Sequence, residues 1–564
     1  MQQPYVLVPP PGAEQADEWV RLGMDAQMSG KLPDAQRLYQ KALQLNPCHA
    51  IATQNLAIVF AQSNLLNEAL LTIERASMFD GVHAVIQSNW ALMALESDHI
   101  DVALKAARRG VEMVPNAVTR MALASVLSTA GLPNEAVPLY QDILKEVPLH
   151  PQAGPNVCFV LTLTDATPKD LLAQRRVWHA TNAYKGEKVA HTNDRTPTRP
   201  LRIGYVSGDF KCHSAAMIFK SVVTYQTEHI VPYYYSTLPV DPAADAKTKQ
   251  FQTVAGERWH DVSAMDDATL DTLIRKDRID ILVDLAGHTN GGRLTLFTRK
   301  PAPIQVTAWG FAHGTGCPEI DYFLADPIAV PLAERQDFAE TVVDLPCIVT
   351  YDPPIEYPLT FTSSLPYHRN DYLTFGTYAR YEKMSDTCLR TFADILRRVP
   401  NSKLQFKDHA YRRPYSIKRI LSAMPDIDKD RLLFSIATSH DDHMRTYQQA
   451  DLILDPFPHG GGVVSLEQLY MGVPIVTRYG TQPSGRTAAS VLTAMGKTAW
   501  IAKDEAEYVE IAVRMVSDIG ALGQMRKTIH DEFMASPVMR EYPQAVEAAY
   551  RTMWQTWCEK PKDS

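Results

Sequence analysis

Two textures of apolar and polar positions divide the chain. Up to about residue 184 small residues recur at a fixed interval. Ala35, Ala69, Ala103 and Ala136 stand 34, 34 and 33 positions apart, and Ala42, Ala76 and Gly110 follow the first three by seven. Gly30, Asn64, His99 and Gly131 read as turn residues in phase with them. Pro47, Pro115 and Pro148 close three units, with Asp80-Gly81 in the corresponding place of the second. The period predicts helix–turn–helix units in which small residues let paired helices approach. Leu38, Tyr39, Leu70 and Tyr140 then fill the space between. About four units fit between Glu14 and Leu149, after a tail at 1–13. Residues 155–184, with Leu171, Leu172, Arg175, Val177 and Trp178, read as a further helix pair, completing a helical region over 14–184. The polar stretch 185–200 reads as a linker.

From Leu201 short aliphatic or β-branched runs alternate with helical patterns. Strands are predicted at 201–207, 231–237, 279–285 and 304–309, then at 372–377, 403–407, 431–435, 451–455 and 474–477. Continuous apolar strands with helices between them imply parallel sheets covered on both faces. Two Rossmann-like halves follow, 201–357 and 358–535, facing across a cleft. Ligands are expected at the carboxyl ends of the strands. The proline-rich stretch 351–367 (Pro353, Pro354, Pro358 and Pro366, after Pro346) reads as the crossover. In the remaining segment, 536–564, a last helix over 543–557 is expected to pack back on the first half.

Composition narrows the class. The 564 residues are 45% hydrophobic and 21% charged, as in ordinary globular protein. A formal net charge of -8 without a long basic run argues against nucleic-acid or membrane-surface binding. The 7 cysteines are scattered without a CxxC, which suits reduced cytosolic thiols and gives no zinc pattern. The N-terminus lacks a basic segment before its proline-broken apolar stretch, so no signal peptide is expected. No apolar run is long enough to span a bilayer.

Candidate chemistry gathers after the strands. The run Asp451-Leu-Ile-Leu-Asp455 leads through Pro-Phe-Pro-His459 into Gly460, Gly461, Gly462, Val463, Val464 and Ser465. A strand that turns tightly into a helix presents unpaired N–H groups and the positive end of the helix dipole, which favours a phosphate. Glycine lets the backbone approach such a ligand closely. Elsewhere the strand-end loops carry Asp209 and His213; His288 in Gly287-His-Thr-Asn-Gly-Gly; His313, Gly314 and Thr315; and Arg380 and Lys383. Lys383 would neutralise a phosphate as a point charge. The pair Asp426-Ile-Asp428 has metal-motif spacing but sits among Lys429, Asp430 and Arg431, so a solvated loop is the reading, and no metal site is expected.

The helical period resembles the tetratricopeptide repeat, which stacks into a curved solenoid with a concave binding face. Followed by Leu-Arg-Ile-Gly-Tyr-Val-Ser-Gly-Asp-Phe, Pro-Ala-Pro-Ile-Gln, the Gly-Thr-Gly loop before Asp321-Tyr322, and Val399-Pro-Asn-Ser402, it resembles the O-GlcNAc transferase family, Spindly-type fucosyltransferases included. The resemblance implies a superhelical repeat array followed by an α/β GT-B fold. It implies inverting, metal-independent transfer without a cofactor, from a nucleotide sugar, UDP-GlcNAc foremost, to Ser or Thr of a protein held partly by the repeats. Through it, His213 corresponds to an active-site histidine read as base or substrate-positioning group, and Lys383 to a lysine on the donor diphosphate. Arg380 falls where a glutamine is usual, His443 near the nucleotide base, and Glu467 at an acid that binds ribose. Arg486 belongs to a helix start beneath the phosphates. Independently of the resemblance, His288, His313, Gly314 and Thr315, on loops of the first half, are candidates for the acceptor or sugar side.

One departure stands out. Uridine-binding members carry His-Thr-Thr where this chain has Gly462-Val463-Val464, so two hydroxyl donors are absent, and His459 lies three positions earlier. Either another donor (GDP-fucose, UDP-glucose or a CMP-sugar) on a dedicated bacterial protein such as flagellin, or weaker donor binding, accords with this. A non-catalytic repeat scaffold is the rival from outside enzymes. Oligomeric assembly is compatible with a repeat array.

Overall fold

A computed structural model describes residues 13–79, 83–241, 243, 245–354, 359–436 and 438–561. The N-terminal tail before residue 13, the Asp80-Gly81 turn, Pro358 in the crossover and the last three residues fall outside these. The chain divides into two compact units, residues up to Ala153 with Arg412–Arg419, and Gly154–Tyr411 with Ile420 onward. The helices after Ala153, expected to lead out of the array, therefore cluster with the second unit.

The first unit contains four antiparallel helix pairs, Ala13–Met28 with Leu32–Leu45, Ala50–Gln62 with Leu66–Ala76, Ala84–Glu96 with Ile100–Met113, and Ala117–Thr129 with Pro133–Glu146. Ala35, Ala69, Ala103 and Ala136 are at most 1% exposed, as close helix approach requires. Tyr39 and Tyr140 are fully buried, whereas Leu38 and Leu70 are only half-buried. The left-handed turn residues are Gly30, Asn64, Asp98 and Gly131, so the third turn pivots on Asp98 and not on His99. Asn and Asp tolerate this conformation because their short polar side chains bond locally.

The second unit holds two parallel sheets. The first contains β1 Leu201–Ser207, β2 Ile230–Ser236, β3 Trp259–Asp261, β4 Ile281–Asp284, β5 Ile304–Thr307, β6 Tyr322–Ala325 and β7 Thr341–Asp344, in the order β3-β2-β1-β4-β5-β6-β7. The second contains β8 Leu373–Thr377, β9 Ser402–Lys407, β10 Leu432–Ser435, β11 Leu452–Leu454, β12 Ile475–Arg478 and β13 Ile501–Ala502, in the order β10-β9-β8-β11-β12-β13. Strands β3, β6, β7 and β13 are additional to those expected. Every strand expected from the pattern is present.

The stretch 185–200 has no regular structure but is fastened down. Arg199 makes a two-pronged ion pair with buried Asp280 at 2.6 and 2.7 Å, and Asn193 donates to the same carboxylate. The helix Tyr542–Glu559 returns to the first half as expected: Trp309 Nε1 donates to the Tyr542 hydroxyl at 2.9 Å, and Trp554 Nε1 to the Thr196 carbonyl. Asp426 pairs with Arg397 on the surface, and Asp428 caps the turn after it, as a solvated loop would.

Candidate active site

Strand order reverses at β1, between β2 and β4, and again at β8, between β9 and β11. Diverging loops leave a crevice at such points. The loops after β1, β4, β8 and β11 border one cavity of about 640 Å³.

The wall from the second sheet gathers positive charge. Arg380, Lys383 and Lys407 are the cationic side chains among its described lining residues. Lys383 is 9% exposed, and its ammonium donates to the Gly460 carbonyl at 2.8 Å and the Gly461 carbonyl at 3.4 Å. Burial pulls its pKa down to about 7, Arg380 adds to the fall, and Asp455 opposes it. The glycine turn is built on Asp455, whose carboxylate accepts the Gly461 N–H, the Ser465 hydroxyl and the Thr477 hydroxyl. A Cβ on Gly461 would lie 2.4 Å from Ser465 Oγ, and Gly462 has φ +64°, so both positions require glycine. The N–H groups of Gly460 and Gly461 are already taken by Ser484 O and Asp455. Those of Gly462, Val463 and Val464, at the start of the helix Val463–Tyr470, have no partner among the described residues. The anion-binding donors are therefore at 462–464, later in the turn than the triplet alone suggests.

Beside Lys407 the cavity is lined by His443 and Asp408. Tyr447 donates to Glu467 at 2.6 Å, so its phenol oxygen accepts from His443 Nε2–H at 2.7 Å. Burial lowers the His443 pKa to about 4. The ring is thus neutral with Nδ1 unprotonated, an acceptor suited to an N–H of a nucleobase. Glu467 does not line the cavity. Its second oxygen lies 2.9 Å from His440 Nε2, and it fixes His443 from behind.

The opposite wall carries His213, Asp209, His288 and His313, with Asn156 and Phe159 from the helix Ala153–Val160. Gly291, at φ +82°, brings the β4 loop so close to Gly208 that a Cβ would sit 3.1 Å from its Cα. His288 Nε2 donates to the Thr315 carbonyl at 2.8 Å, and burial drops its pKa to about 3. Burial also holds His313 and His459 well below their ordinary value; His459 Nδ1 lies 3.1 Å from the Thr162 carbonyl. These rings are neutral at physiological pH.

Four further expected residues stand off the cavity. The Ser465 hydroxyl braces Asp455. Thr315 donates both its N–H and its hydroxyl to buried Glu340, and Gly314 packs against the same carboxylate. Arg486 spends its guanidinium on Glu334 and on the Gly480, Ala329 and Thr481 carbonyls, leaving nothing for a phosphate, while Ser484 and Thr487 beside it reach the cavity wall. Asn156, Phe159, Lys407 and Asp408 were not singled out from sequence, and Asp209 was noted only as a polar residue of a strand-end loop, with no role. Asp209 had the legible signal of a carboxylate at a strand-end loop, four residues before His213.

A model of glycosyl transferase family 41 matches residues 170–350 and 357–546. The chain belongs to glycosyl transferase family 41. It is similar to an Arabidopsis thaliana protein named probable UDP-N-acetylglucosamine–peptide N-acetylglucosaminyltransferase SPINDLY, 34% identical over 395 residues, 68% of this chain and 42% of that one. A rice (Oryza sativa subsp. japonica) protein of the same name is 32% identical over 438 residues, 75% of this chain and 46% of that one. The chain thus spans less than half the length of these curated relatives. A mutant O-GlcNAc transferase from Thermobaculum terrenum superposes with a TM-score of 0.75 at 25% identity, over 98% of this chain and 99% of that one. A repeat array joined to a GT-B pair is therefore the architecture of this family-41 member. Among the described residues no helix is long and apolar enough to cross a membrane.

Proposed function

We propose that the chain transfers a sugar, with inversion, from a nucleoside-diphosphate sugar to a serine or threonine hydroxyl of a protein. The observation that carries this is the buried Lys383 ammonium beside the unpartnered N–H groups of 462–464. Together they suit two adjacent phosphates whose charge grows as the bond to the sugar breaks. His443 Nδ1 would accept from the nucleobase, and Arg380 adds charge at the diphosphate. His288 and His313, neutral and lining the far wall, suit an uncharged sugar or the acceptor chain. The repeat array is the proposed holder of the acceptor protein.

UDP-GlcNAc is the first donor to test, on the names the relatives carry. Val463 and Val464 in place of hydroxyl residues are the reason to test GDP-fucose, UDP-glucose and a CMP-sugar beside it, and they also favour the scaffold reading. Thermal shift and donor hydrolysis across that panel decide. Stabilisation and slow hydrolysis by one donor names the nucleotide. No binding or turnover with any of them leaves the scaffold.

A further inference from the structure

The loop between β1 and the helix Ser214–Val223 holds two groups at the cavity whose proton positions follow from their partners. His213 caps that helix: its Nδ1 accepts the Ala215 N–H at 3.2 Å. A nitrogen that accepts carries no proton, so the neutral ring keeps its hydrogen on Nε2. The side chain is 46% exposed and lines the cavity. It offers a donor there and has no second lone pair with which to take a proton.

Asp209 lies beside the same ring, with Oδ2 3.4 Å from Nδ1, and its side chain is 13% exposed. Its backbone is pinned by the Ser207 hydroxyl, which accepts the Asp209 N–H at 3.0 Å. The carboxylate lines the cavity, and among the described residues no N–H or O–H donates to it. Burial raises its pKa, and the nearby Lys211 ammonium opposes the rise. Of the carboxylates on the described wall, Asp408 belongs to the second sheet, on the side of the cations and His443. Asp209 stands alone on the opposite wall, where an acceptor attacking away from the diphosphate must enter.

We propose that Asp209 is the general base of the glycosyl transfer and that His213, through Nε2–H, is a donor that orients the attacking oxygen. This rests on the transfer reading above. The acceptor oxygen forms its bond to the anomeric carbon. The bond from that carbon to the diphosphate oxygen breaks, and its electron pair leaves with the diphosphate. The acceptor proton passes to the Asp209 carboxylate and from there to water.

The test uses the full chain with water as acceptor, following release of UDP from UDP-GlcNAc and of GDP from GDP-fucose. Asp209→Asn is expected to lower turnover by about 10²- to 10⁴-fold and to flatten the acid limb of the kcat–pH profile. Affinity for the free nucleoside diphosphate should stay within about twofold, because that site lies on the other wall. His213→Gln is expected to lower kcat while keeping the acid limb. In Asp209→Gly, formate is expected to restore part of the turnover by supplying the missing carboxylate. A wild-type acid limb in Asp209→Asn, its loss in His213→Gln, or no formate rescue in a variant that still binds nucleotide overturns the assignment. If the wild-type chain hydrolyses none of the four donors in the panel above, the transfer reading itself fails and takes this one with it.

Discussion

The two sheets of the second unit are built on one plan and carry opposite chemistry. Asp280 and Asp284 bracket β4 as Asp451 and Asp455 bracket β11, in the runs Asp-Ile-Leu-Val-Asp and Asp-Leu-Ile-Leu-Asp. The first of each pair accepts a backbone N–H of the strand at the switch point, from Arg202 at 2.9 Å and Thr374 at 2.8 Å. The second accepts a threonine hydroxyl of the next strand, Thr307 at 2.9 Å and Thr477 at 2.8 Å, and the N–H groups of its own loop. Each pair of buried carboxylates thus ties three strands and a turn. On that shared frame the first sheet mounts Asp209, His213, His288 and His313, and the second mounts Arg380, Lys383, Lys407 and a helix N-terminus. The frame sets where loops leave the sheet, and the loops set what is bound.

The two walls differ most at Lys383. Lys383→Met should cut donor turnover by about 10²- to 10³-fold, the scale of losing one stabilising group at a leaving charge. It should also raise the melting temperature. A lysine whose pKa is about 7 folded and near its ordinary value unfolded costs stability in full below about pH 7, and the cost fades as pH rises. Unchanged turnover, measured as nucleoside diphosphate release, would remove Lys383 from the chemistry.

The two frame aspartates sharpen it. Asp455→Asn should loosen the glycine turn and weaken nucleoside diphosphate binding by about tenfold, since a buried network left one acceptor short costs roughly 1–3 kcal/mol. Asp284→Asn should leave that affinity within about twofold and lower turnover instead. Calorimetric titration of both variants with UDP and GDP separates the halves; equal losses would mean the walls do not divide the work. Val463→Thr with Val464→Thr should raise diphosphate affinity by about three- to tenfold by adding two hydroxyl donors. No change would mean that the donor's phosphates sit away from those side chains.

Much of the frame was legible because it obeys local rules. The alanine period fixed the helix pairs, and the aliphatic runs fixed the long strands. The glycine triplet announced the turn at 460–462. The short strands β3, β6, β7 and β13 escaped because two to four residues with polar members, such as Trp259-His-Asp and Thr341-Val-Val-Asp, carry too little pattern. Asp98 was passed over for His99 because both sit at the turn, and only the backbone shows which is left-handed. Arg486 and Glu467 were expected at the ligand on family position, yet their bonds to Glu334 and to Tyr447 cross long stretches of sequence. Asn156 and Phe159 reach the cavity from a helix that reads as part of the repeats. The Asp-x-x-x-Asp run occurs twice in the sequence, but it gains meaning only when both sheets are seen.

In the proposed transfer the second wall holds the donor's diphosphate through protonated Lys383 and the 462–464 amides. Calorimetric titration of the full chain with UDP and with GDP, for wild type and Lys383→Met, across about pH 6 to 8.5, tests it most directly. One nucleotide is expected to bind wild type, with affinity falling as pH rises through about 7, where the ammonium loses its proton. Lys383→Met should bind about tenfold or more weakly at low pH, with that pH dependence gone. Binding by Lys383→Met equal to wild type, with the same pH profile, would contradict it.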